Sequence, residues 1–306
     1  MPDTDSEQPN SMPDIRMVDV TDKEPSRRRA TAAAEVRLAA DTIQSLLSGR
    51  LPKGDVIATA RLAGIMAAKQ TPQLLPLCHS VPLTHVEVNL TPMPSLQRVC
   101  LQATATAVAG TGVEMEALTA AGVAALTVYD MCKGVDRAAE IRHIRLLTKQ
   151  GGRSGYWQAD GVGRVVAVSL SQQRGTSKHN VEQIELQMDA GVRGDVHAGP
   201  GLRQVSLLAS ESIAAARARG LQAGPGDFAE NVTTEGLVLP SLPVGTHLLL
   251  GTSALGVVTQ IGKSEESPSE IRRLMGDSLI PREGIFIGIL QPGRLRPDDL
   301  IQVLTD

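Results

Sequence analysis

A short glycine-rich segment at residues 151–155, Gly-Gly-Arg-Ser-Gly, constrains the fold of this 306-residue chain more than any other feature. Glycine and serine interrupt regular secondary structure and favour turns or linkers. The residues before the segment form long runs rich in alanine and leucine, whereas those after it form short apolar runs separated by glycine and proline. A chain of this length has room for two domains that each bury a core. We therefore predict a domain boundary between residues 150 and 162.

The first half combines helical and strand patterns. Residues 1–16 are polar and contain three prolines, which is typical of a disordered tail. Apolar residues spaced by three and four predict helices, and alternating residues predict strands. The predicted helices cover 27–47, 56–69 and 113–133, and the predicted strands cover 84–90, 99–105 and 144–148. This order indicates an α+β domain with helices on one face of an antiparallel sheet.

The second half is predicted to be rich in strands. Its short apolar runs are separated by glycine and proline, and one helix is expected over residues 210–219. The predicted strands cover 165–170, 204–208, 248–250, 255–261, 284–290 and 300–304. Many short strands separated by turns are typical of a barrel or a sandwich.

Composition excludes several classes of function. The net charge is −3 and aromatic residues make up 2% of the chain, which argues against a nucleic-acid partner. The three cysteines are odd in number and widely spaced, so neither a disulfide framework nor a cysteine-based metal site is expected, and a reducing cytoplasm fits best. No apolar run reaches the length of a membrane span, and the polar N-terminus does not resemble a secretory signal.

Two charged residues near the end of the long predicted helix are candidates for chemistry. Asp130 and Lys133 are three residues apart, so their side chains share one face of the helix. A carboxylate beside an ammonium can transfer protons while the cation holds an anion, although the same spacing is typical of a surface ion pair. Tyr129 and Lys133 also form the Tyr-x-x-x-Lys pattern of short-chain dehydrogenases. The chain has no Gly-x-Gly-x-x-Gly dinucleotide motif, which excludes that class.

Three further residues carry weaker signals. Lys53 lies in a Pro-Lys-Gly-Asp turn before a predicted helix, where a phosphate could bind, but a solvated turn lysine fits as well. His79 lies between prolines and is either a proton shuttle or a structural histidine. Glu116 precedes Asp130 by fourteen residues, which places them about 21 Å apart along one helix. A single small substrate would not reach both, so a site that uses both is expected between subunits.

Six runs of the first half occur in a characteristic order. They are Met17-Val-Asp-Val20, Lys53-Gly-Asp-Val-Ile-Ala-Thr-Ala-Arg61, Leu77-Cys-His79, Gly112-Val-Glu-Met-Glu-Ala-Leu118, Tyr129-Asp-Met-Cys-Lys133 and Lys149-Gln-Gly-Gly-Arg-Ser-Gly155. Together they resemble the cyclic pyranopterin monophosphate synthase family of molybdenum-cofactor biosynthesis, over residues 17–157.

The resemblance implies a ferredoxin-like lyase that requires no cofactor. Its substrate would be a GTP-derived small molecule, 3′,8-cyclo-7,8-dihydroguanosine triphosphate, which it would convert to cyclic pyranopterin monophosphate with release of pyrophosphate. The catalytic residues implied are Asp130, Lys133, Lys53 and His79, and the substrate-binding residues are Leu77, Cys78, His79, Met115 and Glu116. A triphosphate needs cations, for which Arg28 and Lys69 are further candidates. A homo-oligomer built from dimers, with a hexamer expected and the site at a subunit interface, is also implied.

Five runs of the second half resemble the MOSC domain over residues 162–306. They are Gly194-Asp-Val-His-Ala-Gly199, Arg203-Gln-Val-Ser-Leu-Leu208, Pro225-Gly-Asp-Phe-Ala-Glu-Asn231, Val258-Thr-Gln-Ile-Gly-Lys263 and Arg282-Glu-Gly-Ile-Phe286. The resemblance implies a mostly-β barrel that binds a molybdopterin-type cofactor, together with the family labels of molybdenum-ion and pyridoxal-phosphate binding. The candidate cofactor residues are His197, Arg203, Asn231 and Arg282, although each could equally be a turn or cap residue.

One departure limits the second resemblance. Many relatives carry a cysteine shortly after the Gln-Ile-Gly-Lys run, whereas here Lys263 is followed by Ser264, Glu265 and Glu266. A persulfide requires a thiolate, so sulfur transfer through this domain is not expected. We expect a bifunctional fusion, with residues 158–161 as the linker, of a synthase and a cofactor-binding domain. The alternatives are a non-catalytic cofactor carrier or scaffold, and a fusion that raises local concentration on one pathway.

Overall fold

The first domain is built on an antiparallel sheet of five strands in the order β2-β3-β1-β4-β5. The computed structural model describes residues 15–262 and 279–305, so the predicted tail at 1–16 lies almost wholly outside the described residues. The strands are β1 (Ser26–Arg37), β2 (Leu83–Met93), β3 (Arg98–Ala109), β4 (Glu140–Gln150) and β5 (Tyr156–Gln158). The helices are α1 (Ala40–Leu47), α2 (Val56–Lys69), α3 (Thr71–Leu74) and α4 (Glu114–Cys132). The order of β1 to β4 and the two helical crossovers give a ferredoxin-like fold, which confirms the α+β prediction.

The helix predicted over residues 27–47 is wrong in its first part. Residues Ser26–Arg37 form β1, and only Ala40–Leu47 is helical. Seven consecutive residues of β1, from Ala30 to Val36, are buried. A strand that is covered on both faces loses the alternation of polar and apolar residues by which strands are recognised. Its alanine-rich run therefore matched a helical pattern.

The helices pack on one face of the sheet. α2 and α4 run antiparallel to each other, because Lys53, just before α2, contacts Asp130 near the end of α4. The two helices approach closely at Gly64, where an added Cβ would lie 2.9 Å from the carbonyl oxygen of Ala120. This approach needs a glycine in α2 and small residues such as Ala124 in α4. The helix predicted over 56–69 is confirmed, and the one predicted over 113–133 is confirmed with slightly shorter bounds.

The second domain is a closed barrel of seven strands. Its order is β11-β10-β14-β13-β12-β16-β6, and pairing of β11 with β6 closes it. The strands of the barrel are β6 (Val162–Leu170), β10 (Val205–Ala209), β11 (Val232–Glu235), β12 (His247–Leu250), β13 (Ala254–Ile261), β14 (Ile285–Gln291) and β16 (Leu300–Leu304). β7 (His179–Val181) pairs with β6, and β8 (Ile184–Gln187), β9 (Gly191–Val192) and β15 (Gly293–Leu295) form a small sheet. α5 (Ser210–Ala218) and a helical turn at Ile280–Glu283 complete it. Closure decides between the two predicted architectures in favour of the barrel.

The barrel covers the face of the first sheet that the helices leave open. Ala33 and Leu147 of the sheet pack against Val162 of the barrel. The Gln102 amide donates a hydrogen bond to the carbonyl of Gly251 at 3.3 Å. This contact explains why β1 is buried on both faces. None of the helices within the described ranges is long and apolar enough to cross a membrane.

Candidate functional site

Lys53, Asp130 and Lys133 form one cluster at the C-terminal end of α4, which we call the aspartate end. Lys133 Nζ lies 2.7 Å from one carboxylate oxygen of Asp130, and Lys53 Nζ lies 2.6 Å from the other. Lys53 also donates to the carbonyl oxygen of Asp130 at 2.8 Å. All three side chains are about half exposed. The antiparallel packing of α2 on α4 brings Lys53, which is 77 residues away in sequence, to the helical pair.

The two lysines control the charge of Asp130. Hydrogen bonds from Lys133 and then Lys53 lower the pKa of the Asp130 carboxyl from 3.8 to about 2. The hydrogen bond to Asp130 in turn raises the pKa of Lys133. At neutral pH the cluster is one carboxylate between two ammonium groups. In this arrangement Asp130 is ionised and its basicity is weak until a lysine is drawn away.

Cys78, His79, Met115 and Glu116 lie at the opposite end of α4, which we call the glutamate end. Glu116 is buried, and burial raises the pKa of its carboxyl. Burial also raises the pKa of the Cys78 thiol, and the charge of Glu116 makes a smaller contribution in the same direction. His79 follows Cys78 in the chain. Lys69 ends α2 on the same side, because α2 is antiparallel to α4.

A cavity of about 790 Å³, which we call the phosphate cavity, opens beside the glutamate end. Arg28 lines it and is fixed by a hydrogen bond from its Nε to the carbonyl of Ala109 at 3.1 Å. Lys149 lines it from β4 and lies 3.2 Å from Glu114, in the first turn of α4. The remaining basic residues on its wall are Lys23, Arg27, Arg29 and Arg153. Three acidic residues, Asp22, Glu24 and Glu114, also line it, so the wall carries six basic and three acidic side chains. This net positive charge in a concave surface favours a polyanionic ligand.

Sequence reasoning missed most of this cavity. The pattern of residues 27–47 predicts a helix, whereas Arg27 and Arg29 lie two residues apart on strand β1. Lys149 and Glu114 were not proposed as site residues, although both lie within the runs that carry the family resemblance. The signal that could have found them is the clustering of arginine in residues 27–29 and of glycine in 151–155, two segments that β1 and β4 bring together.

The predicted residues of the first domain do not form one site within a single copy of the chain. Glu116 and Asp130 lie on the same continuous helix, fourteen residues apart, so about 21 Å separates them along its axis. Leu77, Cys78, His79, Met115, Arg28 and Lys69 belong with the glutamate end, and Lys53 and Lys133 belong with the aspartate end. The separation expected from helix geometry is therefore present in the structure.

The remaining cysteines pack in the interior. Cys100 and Cys132 are buried, and burial raises the pKa of the Cys132 thiol to about 11 and that of Cys100 further above its usual range. Thiols that stay protonated at neutral pH are poor nucleophiles. Within residues 15–262 and 279–305, no group of three or more histidine, cysteine or acidic residues could hold a metal ion.

The candidate residues of the barrel do not all lie at one of its ends, because Arg203 precedes β10, Arg282 precedes β14, and these two strands are antiparallel neighbours. His197 Nδ1 is 3.3 Å from Asp195, a buried carboxylate that also binds Lys178 Nζ at 2.5 Å. The Asn231 amide is buried and bonds to Ser169, Asp195 and Ser206, so it ties three segments together. Arg203 Nε donates to Gln260 at 3.0 Å, and its guanidinium lies 5.5 Å from the centre of the Phe286 ring. Arg282 is exposed in the helical turn before β14.

The segment in which relatives carry a cysteine lies outside the described residues, since Lys263 and the following residues to 278 are not described. The barrel contains no cysteine, because Cys132 is the last one in the chain.

Comparisons with known proteins match the two halves separately. The profile of the MoaC family matches residues 17–152. Over 143 residues the chain is 53% identical to a cyclic pyranopterin monophosphate synthase of Chloroflexus aurantiacus. The matched region covers 47% of this chain and 88% of that protein. Over 140 residues it is 56% identical to the protein of the same name from Nostoc sp. This matched region covers 46% of this chain and 83% of that protein.

Solved structures of low sequence identity also match. The YuaD protein from Bacillus subtilis matches with a TM-score of 0.39 and 16% identity, over 46% of this chain and 95% of that chain. YiiM from Geobacillus stearothermophilus matches with a TM-score of 0.37 and 17% identity, over 47% of this chain and 75% of that chain.

Proposed function

The first domain of this chain belongs to the MoaC family of cyclic pyranopterin monophosphate synthases, and we propose that it acts on the cyclised triphosphate that this resemblance implies. The reaction converts 3′,8-cyclo-7,8-dihydroguanosine triphosphate to cyclic pyranopterin monophosphate and releases pyrophosphate. The observation that carries this proposal is the aspartate end, where one carboxylate is held between two ammonium groups at 2.6 and 2.7 Å. A proton-transferring group and two phosphate-binding cations thus share one point.

The substrate competes with Asp130 for Lys53 and Lys133, and this competition activates the carboxylate for proton transfer. A triphosphate carries several negative charges and draws Lys53 and Lys133 away from Asp130. The pKa of Asp130 then rises from about 2 toward its ordinary value, so the carboxylate becomes a stronger base when the substrate is bound. It can then accept a proton during opening and reclosure of the ring. A sugar hydroxyl attacks the α-phosphorus and forms the cyclic ester, its proton passes to the Asp130 carboxylate, and the bond from the α-phosphorus to the leaving pyrophosphate breaks.

The complete site requires two copies of the chain. The aspartate end of one copy supplies Asp130 and its lysines, and the glutamate end of another supplies His79, Glu116 and the phosphate cavity. Neither end alone contains both the proton-transferring carboxylate and the arginines that suit a triphosphate. We therefore propose a homo-oligomer built from dimers, with a hexamer as the expected assembly.

For the barrel we propose binding of a molybdopterin-type cofactor at the rim that carries His197 and Arg203. Both side chains present polar atoms at the surface and can meet the anionic phosphate of such a ligand. The donor set fits the phosphate better than the metal, because the barrel has no thiolate. Lys178 is the one lysine among the described barrel residues, and it is buried against Asp195. That arrangement does not fit a pyridoxal phosphate aldehyde, which needs an accessible amine.

The test is an assay of the purified full chain with the cyclised triphosphate, with chromatographic detection of the pterin product and of pyrophosphate. Asp130→Asn should lower turnover by about 10²–10⁴-fold, because it removes the proton-transferring group. Asp41→Asn is the control, because it changes an exposed carboxylate in the first turn of α1 that belongs to neither end of α4. Near-normal turnover of Asp130→Asn would refute the role of that residue. Absence of product from folded wild-type chain would favour the carrier or scaffold alternative.

A further inference from the structure

A cavity of about 530 Å³ lies between the two domains, and we call it the interdomain cleft. On the side of the first domain, Arg29 pairs with Gln150 and Gln150 pairs with Tyr156 across β1, β4 and β5. On the side of the barrel, Glu235 of β11 pairs with Arg164 of β6. Side chains at the same level of neighbouring strands point to the same face of a sheet. The cleft is therefore built largely on regular strand positions of two sheets, which hold their side chains more rigidly than loops would.

Two arginines of the cleft have no acidic partner among the residues that the structure describes. Arg27 and Arg29 lie two residues apart on β1, so their side chains emerge on the same face, and both are exposed. Neither makes a side-chain hydrogen bond or an ion pair with any residue in the described ranges. On the barrel side, Arg164 is neutralised by Glu235 at 2.9 Å and by Asp298 at 2.6 Å. The positive potential of the cleft therefore comes from the first domain.

The interdomain cleft adjoins the phosphate cavity. Arg27, Arg29 and Gln150 line both cavities. An anion that leaves the phosphate cavity can thus pass to the interdomain cleft without losing contact with the same two guanidinium groups. This shared wall belongs to β1 and β4 of the first domain, and the barrel supplies the opposite wall of the interdomain cleft. The cleft therefore depends on the fusion of the two domains in one chain.

We propose that the interdomain cleft binds a phosphate-bearing product of the first domain and holds it between the two domains. This proposal rests on the proposed function, which supplies the phosphate. Arginine suits the group because its planar fork binds two phosphate oxygens at once. Gln150 and the hydroxyl of Tyr156, which lies 2.8 Å from Gln158, add neutral hydrogen-bonding groups. A cavity of this size accommodates either pyrophosphate or a small cyclic phosphodiester.

The test uses barrel residues that line the interdomain cleft and are absent from the wall of the phosphate cavity. Asp298→Asn removes a negative charge and frees one side of Arg164, and asparagine tolerates the left-handed backbone of this residue, with φ of 71°. Arg164→Gln removes a positive charge. Calorimetric titration of the full chain with inorganic pyrophosphate at low salt should give about three- to tenfold tighter binding in the first variant and about three- to tenfold weaker binding in the second.

The controls carry the same change of net charge elsewhere on the barrel. Arg193 and Glu185 form an exposed ion pair at 2.8 Å that does not line the cleft. Glu185→Gln and Arg193→Gln should therefore leave the affinity for pyrophosphate within about twofold of wild type. The proposal requires both opposite shifts, relative to the controls, for pyrophosphate or for the cyclic phosphodiester probe described next. It is overturned if neither probe shows both shifts.

A second titration, with guanosine 2′,3′-cyclic monophosphate as a cyclic phosphodiester probe, identifies which product chemistry the cleft prefers. The probe whose affinity shifts in opposite directions in the two variants marks the bound class. These titrations need no turnover. A chain without synthase activity that still shows both shifts would refute the proposed function alone, and an active chain without them would refute the cleft alone.

Discussion

Because the two ends of α4 are far apart, the turnover of oligomers that mix two damaged variants can be predicted. Asp130 lies near one end of the helix and Glu116 lies near the other, about 21 Å away along the axis. His79 belongs to the end that carries Glu116. If one active site takes its aspartate end and its glutamate end from different copies, a chain damaged at one end can complement a chain damaged at the other. We therefore expect Asp130→Asn and His79→Ala to be inactive separately and active together.

The expected recovery follows from counting. In an equal mixture that assembles at random, half of the aspartate ends and half of the glutamate ends are intact. A site that draws its two ends from different copies is complete with a probability of about one quarter, so the mixture should regain about a quarter of wild-type turnover. Each variant alone should retain about 1% or less, since loss of a proton-transferring group costs about 10²–10⁴-fold.

The assay is co-expression of the two variants with different affinity tags, followed by tandem purification and measurement of product formation. Tandem purification retains only mixed oligomers, and the fraction of each variant is read from intact mass. The double variant Asp130→Asn with His79→Ala, mixed with wild type, is the control. By the same counting it should give about a quarter of wild-type turnover if the site is shared, and about half if each copy carries its own site. Mixed oligomers of the single variants with no more activity than either parent would refute the shared site.

The remaining predictions concern charge and packing. Lys53→Met should raise the pKa of Asp130 from about 2 toward 3.8, measured by carbon NMR of the carboxyl. The pKa of Asp130 is depressed in the folded state of the wild-type chain. The stabilisation that this depression reflects is therefore present above pH 3.8 and is lost as the pH falls toward 2. Lys178→Met should cost about 3–5 kcal/mol in urea unfolding, since it leaves Asp195 charged and buried, and adding Asp195→Asn should recover part of that loss. Gly64→Ala should destabilise by about 1–3 kcal/mol, because its Cβ would lie 2.9 Å from a backbone oxygen. Gly122→Ala, whose nearest neighbour is a side-chain atom at 3.8 Å, should instead raise the melting temperature.

Some helices and strands could be predicted from the sequence, because their local pattern of polar and apolar residues matches the burial of their faces in the structure. α2 and α4 each have one buried face and one exposed face, and the strands β2 and β3 are joined by a short proline-rich turn. β1 could not be recognised, because the barrel and the helices bury both of its faces. Short strands such as β7, β9 and β15 were also missed, since two or three residues show no periodicity.

The ordered motifs of the sequence determined the family of the first domain and named Lys53, His79, Asp130 and Lys133, and the composition of the second half limited it to a barrel or a sandwich. The tertiary structure decided the rest. Antiparallel docking of α2 on α4 joins Lys53 to Asp130 and leaves Glu116 at the far end of the helix, and closure of β11 on β6 makes the barrel. The interdomain cleft exists because the barrel covers one face of the first sheet. The physical reason is common to all three: they are contacts between segments distant in the chain, which the local pattern of side chains does not encode.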